Sequence, residues 1–229
     1  MGRANFYGDE AGFEEFISRE GSVPGLPAAL LYHVIKRVVD VVGAVGGLLL
    51  LLPLFPFIVL LIKLETSGPI FFVQERVGFR GRLFGCYKFR SMCVDAEARK
   101  NDLQHLNEAS GAAFKIQDDP RITGVGRFLR RSSLDEFPQL FNILKGDMSI
   151  IGPRPQIPSE VKEYTPAQAQ RLLVKPGLTC LWQVSGRSQL DFEEWMELDR
   201  KYVAQRGLRA DLMILARTLP AVIERKGAY

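Results

Sequence analysis

The chain has 229 residues, which fits one domain with at most a modest appendage. Hydrophobic residues make up 47% and charged residues 24%, ordinary globular proportions that exclude a disordered, collagenous or disulfide-scaffold protein. Net charge is +4, yet the first 30 residues hold two basic groups against five acidic ones, so the remainder carries +7. Cys86, Cys93 and Cys180 show no C-x-x-C pairing and read as reduced thiols.

Residues 1–30 are Gly-rich and mildly acidic, with a short amphipathic stretch at Phe13–Ile17 and a linker at Val23–Pro27. A helix is expected to begin near Ala28. From Val41 to Ile62 the chain runs 22 residues without a charged or hydroxyl-bearing side chain, beyond the ~18 that mark a membrane segment. The run starts too far in and is too long for a signal peptide, and it lacks a small-residue cleavage site. Pro53 and Pro56 sit just past its middle and predict a bend. The arms on either side would reach ~18 Å and ~15 Å, and neither crosses a ~30 Å hydrocarbon layer alone. Lys36 and Arg37 precede the run, while Lys63, Arg76, Arg80 and Arg82 follow it. Positive charge prefers the cytoplasmic side, so a re-entrant hairpin satisfies both ends, with a kinked span as the alternative. Gly43 and Gly47 give a G-x-x-x-G spacing that permits close approach of a neighbouring element.

Beyond the hairpin, Ile70–Val77 and Leu83–Arg90 are strand-like and flank a Gly-containing loop, which predicts a β-hairpin. Met92–Glu108 is polar and reads as a surface helix. Ile122–Arg131, Leu134–Leu144, Thr165–Leu173 and Phe192–Gln205 are expected helices. Residues 150–158 hold Pro153, Pro155 and Pro158 and must be extended or turning. The last segment, Leu208–Arg225, gathers Leu212, Leu215, Leu219, Val222 and Ile223 opposite Arg217 and Glu224. That face suits either core packing or a membrane interface.

No P-loop, strand-linked G-x-G-x-x-G, H-E-x-x-H or G-x-S-x-G occurs, and His33 and His105 have no partner at metal-ligand spacing. What remains is carboxylates and arginines. Between Asp118 and Arg154 the chain carries Arg121, Arg127, Arg130 and Arg131, then Asp135-Glu136, Asp147 and Arg154. A protein that handles a diphosphate needs cationic forks on the phosphate oxygens. If it uses Mg²⁺, it also needs one or two carboxylates. Ser133–Glu136 equally has the S-x-x-E form of a helix capping box, and Pro138 fits the first turn of a helix starting at Asp135 or Glu136. Composition leaves both readings open.

Six collinear motifs resolve the ambiguity: KFRSM at Lys88–Met92, DPRIT at Asp119–Thr123, GRFLRR at Gly126–Arg131, SLDEFPQL at Ser133–Leu140, GDMSIIGPRP at Gly146–Pro155 and KPGLT at Lys175–Thr179. Together they resemble the bacterial sugar transferase family, the monotopic polyprenyl-phosphate phosphoglycosyl transferases, in their small form, over about Tyr32 to the C-terminus. The resemblance implies transfer of a phospho-sugar from a UDP-sugar to polyprenyl (undecaprenyl) phosphate with release of UMP, the first membrane step of glycoconjugate or exopolysaccharide assembly. It assigns Asp135 as nucleophile, forming a phospho-sugar aspartyl intermediate, and Glu136 as catalytic partner and Mg²⁺ ligand. Lys88, Arg90, Arg121, Arg131, Arg154 and Arg187 are the candidate substrate-binding cations, with Arg154 directed by its rigid Pro-Arg-Pro setting. A helix N-terminus at the acidic pair would add backbone N–H groups. Trp182, Gln183, Asp199 and Tyr202 also resemble family positions and read as packing or support. The chain departs from the family where Leu52-Pro53 replaces the usual Ser-Pro break.

The expected fold is therefore α+β, mainly α: a re-entrant membrane hairpin joined to a compact cytoplasmic domain with a small β-hairpin and interfacial amphipathic helices. The boundaries are an extension at 1–30, the hairpin at 31–63 and the catalytic domain at 64–229. Expected partners are a UDP-sugar, polyprenyl phosphate and the lipid bilayer on the cytoplasmic face of a bacterial inner membrane, with room for a homodimer. The pI of about 9.0 does not argue for nucleic acid, because basic groups alternate with acidic ones. It suits anionic headgroups and an anionic donor. Competing readings are a catalytically inactive membrane scaffold and a glycosyltransferase that releases UDP.

Overall fold

The computed structural model describes residues 4–18, 30–108, 116, 118–186 and 190–224. The linker expected at 23–27, the helix start near Ala28 and Arg187 lie outside them. The fold is mixed α/β and mainly helical. Helix α1 (Glu10–Ser18) turns Phe13 and Ile17 completely inward against Val77, Tyr164 and Leu172, each burial contributing about 1.5–3 kcal/mol. Ahead of it the chain follows the β-hairpin loop, with Phe6 N donating to Gly81 O at 2.7 Å and Leu83 N to Ala4 O at 2.9 Å. Glu10 pairs with both Arg80 and Arg82. Residues 4–18 of the expected extension are thus built into the domain.

Helices α2 (Leu30–Leu51) and α3 (Phe55–Glu65) meet at a 63° bend. Pro56 lies in the first turn of α3 and Pro53 in the break, so the bend forms without the serine. Among the described residues no single helix is long and apolar enough to cross a membrane, but the bent pair passes that test together. Helix α2 has two faces at helical spacing. Leu31, Val34, Val38, Val42, Val45 and Leu49 are exposed and form one continuous apolar stripe. The opposite face is fastened to the domain. Lys36 Nζ donates to Ile151 O (2.9 Å) and bonds Asp211 (2.8 Å), while Arg37 donates to Ile143 O and Leu144 O. Buried Asp40 accepts from Ser149 Oγ and Ile150 N, both at 2.8 Å. The two glycines permit the close approach: a Cβ on Gly43 would lie 2.4 Å from Ile150 Cδ1, and one on Gly47 2.7 Å from Leu140 Cδ1.

Strands β1 (Phe71–Val77) and β2 (Leu83–Phe89) pair antiparallel, Phe71 opposite Phe89 and Val77 opposite Leu83, as expected. The polar segment expected as a helix from Met92 instead forms 3₁₀ turns at Ala98–Leu106 with no buried residue. Its apolar residues are too far apart to give an α-helix a buried stripe. Helix α4 (Gly124–Arg131) is capped by Thr123, whose Oγ1 accepts from Gly126 N. Glu65, at the end of α3, also accepts from Gly124 N (2.6 Å) and Val125 N (3.0 Å), joining the hairpin's exit to this helix. After α5 (Gln139–Lys145) comes β3 (Ser149–Ile151), then the short α6 (Pro158–Val161) and α7 (Pro166–Ala169). Helix α7 runs into a 3₁₀ turn at Gln170–Leu173. Strand β4 (Gly177–Thr179) then pairs parallel with β3. This second sheet depends on glycine: a Cβ on Gly177 would lie 2.1 Å from Gly152 N. Helices α8 (Leu181–Val184), α9 (Phe192–Gln205) and α10 (Leu208–Glu224) complete the chain. On α10, Asp211 and Ile214 face inward while Leu212 and Leu219 are 66% and 71% exposed, so its apolar stripe points away from the core.

Asp40→Ala leaves the Ser149 hydroxyl and the Ile150 amide without an acceptor. The expected cost is about 2–4 kcal/mol, a Tm lower by roughly 5–15 °C, measured by thermal unfolding in detergent. An unchanged Tm would mean that the α2–β3 bonds contribute nothing to stability.

Candidate active site

Helix α4 ends abruptly. Ser132 caps its C-terminus in right-handed conformation, and Ser133 then flips to left-handed backbone, φ 57° and ψ 15°. A non-glycine residue there costs roughly 1–2 kcal/mol. The flip corrects the capping-box expectation. An N-cap needs extended backbone, and Ser133 makes no side-chain cap bond. Leu134–Glu136 forms a 3₁₀ turn instead, and α5 starts only at Gln139, just after Pro138. The acidic pair therefore lies ahead of α5 rather than in its first turn.

The turn places Asp135 in a buried position and Glu136 beside it under two cations. Arg154 grips Glu136 through both terminal nitrogens, Nη2 to Oε1 at 2.6 Å and Nη1 to Oε2 at 3.2 Å. Lys88 Nζ donates to Oε1 at 2.9 Å. These charges hold the Glu136 carboxyl far below its ordinary range, Arg154 more than Lys88, overriding the effect of burial. Asp135 behaves oppositely. Burial pushes it up to about 6; the Lys88 ammonium opposes the rise, the Glu136 charge adds to it, and Arg130 and Arg154 oppose it further. The rise from 3.8 to about 6 corresponds to about 3 kcal/mol against the ionised form. Among the described residues none hydrogen-bonds the Asp135 carboxylate.

The candidate cations divide sharply. Lys88 and Arg154 converge on Glu136. Arg90 does not reach it: the guanidinium is buried against the hairpin's exit, donating to Thr66 O, Thr66 Oγ1 and Ser67 O. Arg121 forms a buried fork with Asp119 (Nη2–Oδ2 2.6 Å) and donates to Ala96 O. Arg131 is exposed on the outer face of α4. Arg187 is outside the described residues. Two arginines not assigned from the sequence belong to the site. Arg130 carries its charge beside Asp135 and donates Nε to Ser91 Oγ at 2.9 Å, and its terminal nitrogens bond no described residue. Helical spacing could have found it, because Gly126 and Leu129 are the buried positions of α4 and Arg127 and Arg131 share the exposed side. Arg76 lies near Arg154 and Glu136. Period-two alternation puts Phe72, Gln74 and Arg76 on the sheet face that carries Lys88.

Among the described residues no three His, Cys, Asp or Glu side chains cluster so as to enclose a metal. Two adjacent carboxylates nevertheless suit Mg²⁺, which keeps waters and takes phosphate oxygens from its substrate. Glu136 Oε2 accepts one hydrogen bond and retains a lone pair.

Because Asp135's folded value lies above its unfolded one, this group's contribution to stability is full below pH ~4 and is lost as pH rises through about 6. Glu136→Gln removes the neighbouring negative charge and should move the Asp135 titration downward. Lys88→Met should move it upward. Carboxyl ¹³C NMR across pH 3–9 reads both, and shifts of the opposite sign would contradict the electrostatics described.

Comparison with known proteins identifies the family. The bacterial sugar transferase model matches residues 31–225. The galactosyl transferase CpsE of Streptococcus agalactiae is 46% identical over 194 residues, covering 84% of this chain and 43% of CpsE. The undecaprenyl-phosphate galactose phosphotransferase of Salmonella typhimurium is 42% identical over 199 residues, covering 85% of this chain and 42% of that protein. The exopolysaccharide production protein ExoY of Rhizobium meliloti is 41% identical over 198 residues, covering 85% and 88%. The chain thus spans about two fifths of the two longer relatives and most of ExoY. With the match running from α2 through α10 and enclosing the Asp135–Glu136 turn, the chain belongs to the bacterial sugar transferase family.

Proposed function

We propose that this protein transfers a sugar 1-phosphate from a UDP-sugar to polyprenyl phosphate and releases UMP. The observation that carries the reading is a buried carboxylate, Asp135, which no described residue hydrogen-bonds, beside a glutamate that two cations hold ionised. A titration near 6 leaves Asp135 mostly ionised at neutral pH while keeping it more basic than a solvated aspartate, which suits a nucleophile. Its oxygen would attack the sugar-linked phosphorus, and the bond from that phosphorus to the bridging oxygen would break, sending UMP away. The polyprenyl phosphate oxygen would then attack the same phosphorus, restoring the carboxylate and giving the lipid diphospho-sugar. Arg130, whose terminal nitrogens bond no described residue, is suited to the donor's phosphate oxygens. Bound Mg²⁺, held by Glu136 and the donor's diphosphate, would offset the charge on the leaving phosphate.

Supporting facts come from the relatives. One is named for galactose phosphate transfer to undecaprenyl phosphate, and another, from Aeromonas hydrophila, for the N-acetylgalactosamine equivalent. These names differ in sugar and agree in acceptor, so the acceptor is the firmer part of the proposal. The contacts of α2 support a particular membrane arrangement. Its inner face is bonded to the domain from Lys36 to Asp40 and packed on it as far as Leu51, so a perpendicular crossing would drag α5 and β3 into hydrocarbon. A shallow re-entrant hairpin on the cytoplasmic face, with the α10 stripe at the same interface, keeps those polar elements in water.

The test is nucleotide release by detergent-purified protein with Mg²⁺, undecaprenyl phosphate and a panel of UDP-sugars. UMP is expected, and Asp135→Asn should lower its release by about 10³-fold or more without lowering Tm. Release of UDP would contradict the proposal and favour a glycosyltransferase; no release with any donor would favour a scaffold.

A further inference from the structure

Arg154 reaches Glu136 from a segment whose backbone is held at every carbonyl. Pro153 and Pro155 fix φ on either side. Gly177 N donates to Pro153 O at 2.9 Å, Arg171 Nη2 to Arg154 O at 2.7 Å and Arg76 Nη1 to Pro155 O at 2.8 Å. The middle contact determines ψ of Arg154 itself, and its donor is unusual. The Arg171 side chain is 2% exposed and pairs at 2.6 Å with Asp199, whose side chain is 1% exposed. The same guanidinium donates to the Tyr164 hydroxyl and lies 5.4 Å from the Trp195 ring. Arg171 stands on the 3₁₀ turn after α7 and Asp199 in the middle of α9, so both come from elements packed in the core rather than from loops.

We infer that the Asp199–Arg171 pair positions Arg154, fixing its carbonyl so that the guanidinium fork meets Glu136. This inference deepens the proposed function and rests on it for its catalytic meaning. The pair touches neither Asp135 nor Glu136 among the described contacts, so it acts through Arg154. Its burial is hard to explain by stability alone. Removing two charges from water costs several kcal/mol per ion, and apolar side chains of similar volume commonly fill such a site equally well. What apolar residues would not supply is the hydrogen bond to the Arg154 carbonyl. Asp199 lies against the Arg171 Nη2 that donates to the Arg154 carbonyl, while Nη1 donates to Tyr164.

The test combines turnover with a titration. Arg171→Met and the isosteric Asp199→Asn are compared with wild type for UMP release, and the Asp135 and Glu136 carboxyls are followed by ¹³C NMR against pH. Arg171→Met should lower turnover by about 10–100-fold. It should also raise the pH at which both carboxyls titrate, because Arg154's positive charge withdraws. Asp199→Asn should shift both readouts in the same direction by less, and it carries the test if Arg171→Met does not fold. In an Arg154→Lys background, Arg171→Met should cost less than about threefold. Additive losses in that background, or carboxyl titrations that stay in place, would overturn positioning and leave a structural ion pair. The titration needs no turnover. A wild-type protein that releases no UMP would refute the proposed activity while still reporting whether Arg171 orients Arg154.

Discussion

Two neighbouring carboxylates repel each other when withdrawn from water, and one stays fully ionised only if cations are fixed against it. The site is organised around that constraint. Lys88 and Arg154 converge on Glu136 and hold it charged, while Asp135 beside it is hydrogen-bonded by no described residue and is pushed up to about 6. The components come from distant parts of the chain. Strand β2 supplies Lys88 through the alternation of its faces, the Pro153–Pro155 segment supplies Arg154, and the left-handed Ser133 supplies the turn that sets the acidic pair between them. Each is held by rigid neighbours, which is what a site needs when charge must be aimed rather than merely present.

The bent helix pair is part of the same construction. Glu65, the last residue of α3, bonds the first amides of α4, and α4 ends at the Ser133 flip that orients Asp135. Arg90 secures the same exit from the other side by bonding Thr66 and Ser67. The face of α2 that carries Lys36, Arg37 and Asp40 is bonded to α5, β3 and Asp211, leaving the opposite apolar stripe exposed. The bent helix pair and the acidic turn are therefore mechanically continuous, which would suit the lipid phosphate acceptor proposed above.

Much of this was legible because the signals are local or strongly periodic. The proline break, the β-hairpin and helix 192–205 follow from spacing and turn chemistry. Non-local choices were not legible. Ser133–Glu136 satisfies the capping-box pattern, yet tertiary packing drives Ser133 left-handed. The three-residue parallel pairing of Ser149–Ile151 with Gly177–Thr179 depends on two glycines 25 positions apart in the chain and has no local signature. Among the arginines, charge alone could not separate Arg90 and Arg121, which bond backbone and Asp119, from Arg130 and Arg76, which face the site. The helix and strand periods of α4 and β1 held that information.

The central claim, that Asp135 acts as a covalent nucleophile, is tested most directly by omitting the acceptor. Protein incubated with Mg²⁺ and its UDP-sugar alone is quenched, and the peptide containing Asp135 is analysed by mass spectrometry alongside the nucleotide released. The account predicts one sugar phosphate attached at Asp135 and an equivalent of UMP, the adduct disappearing when undecaprenyl phosphate is added. Turnover of the complete system without any adduct in the acceptor-free reaction, or an adduct on another residue, would contradict it.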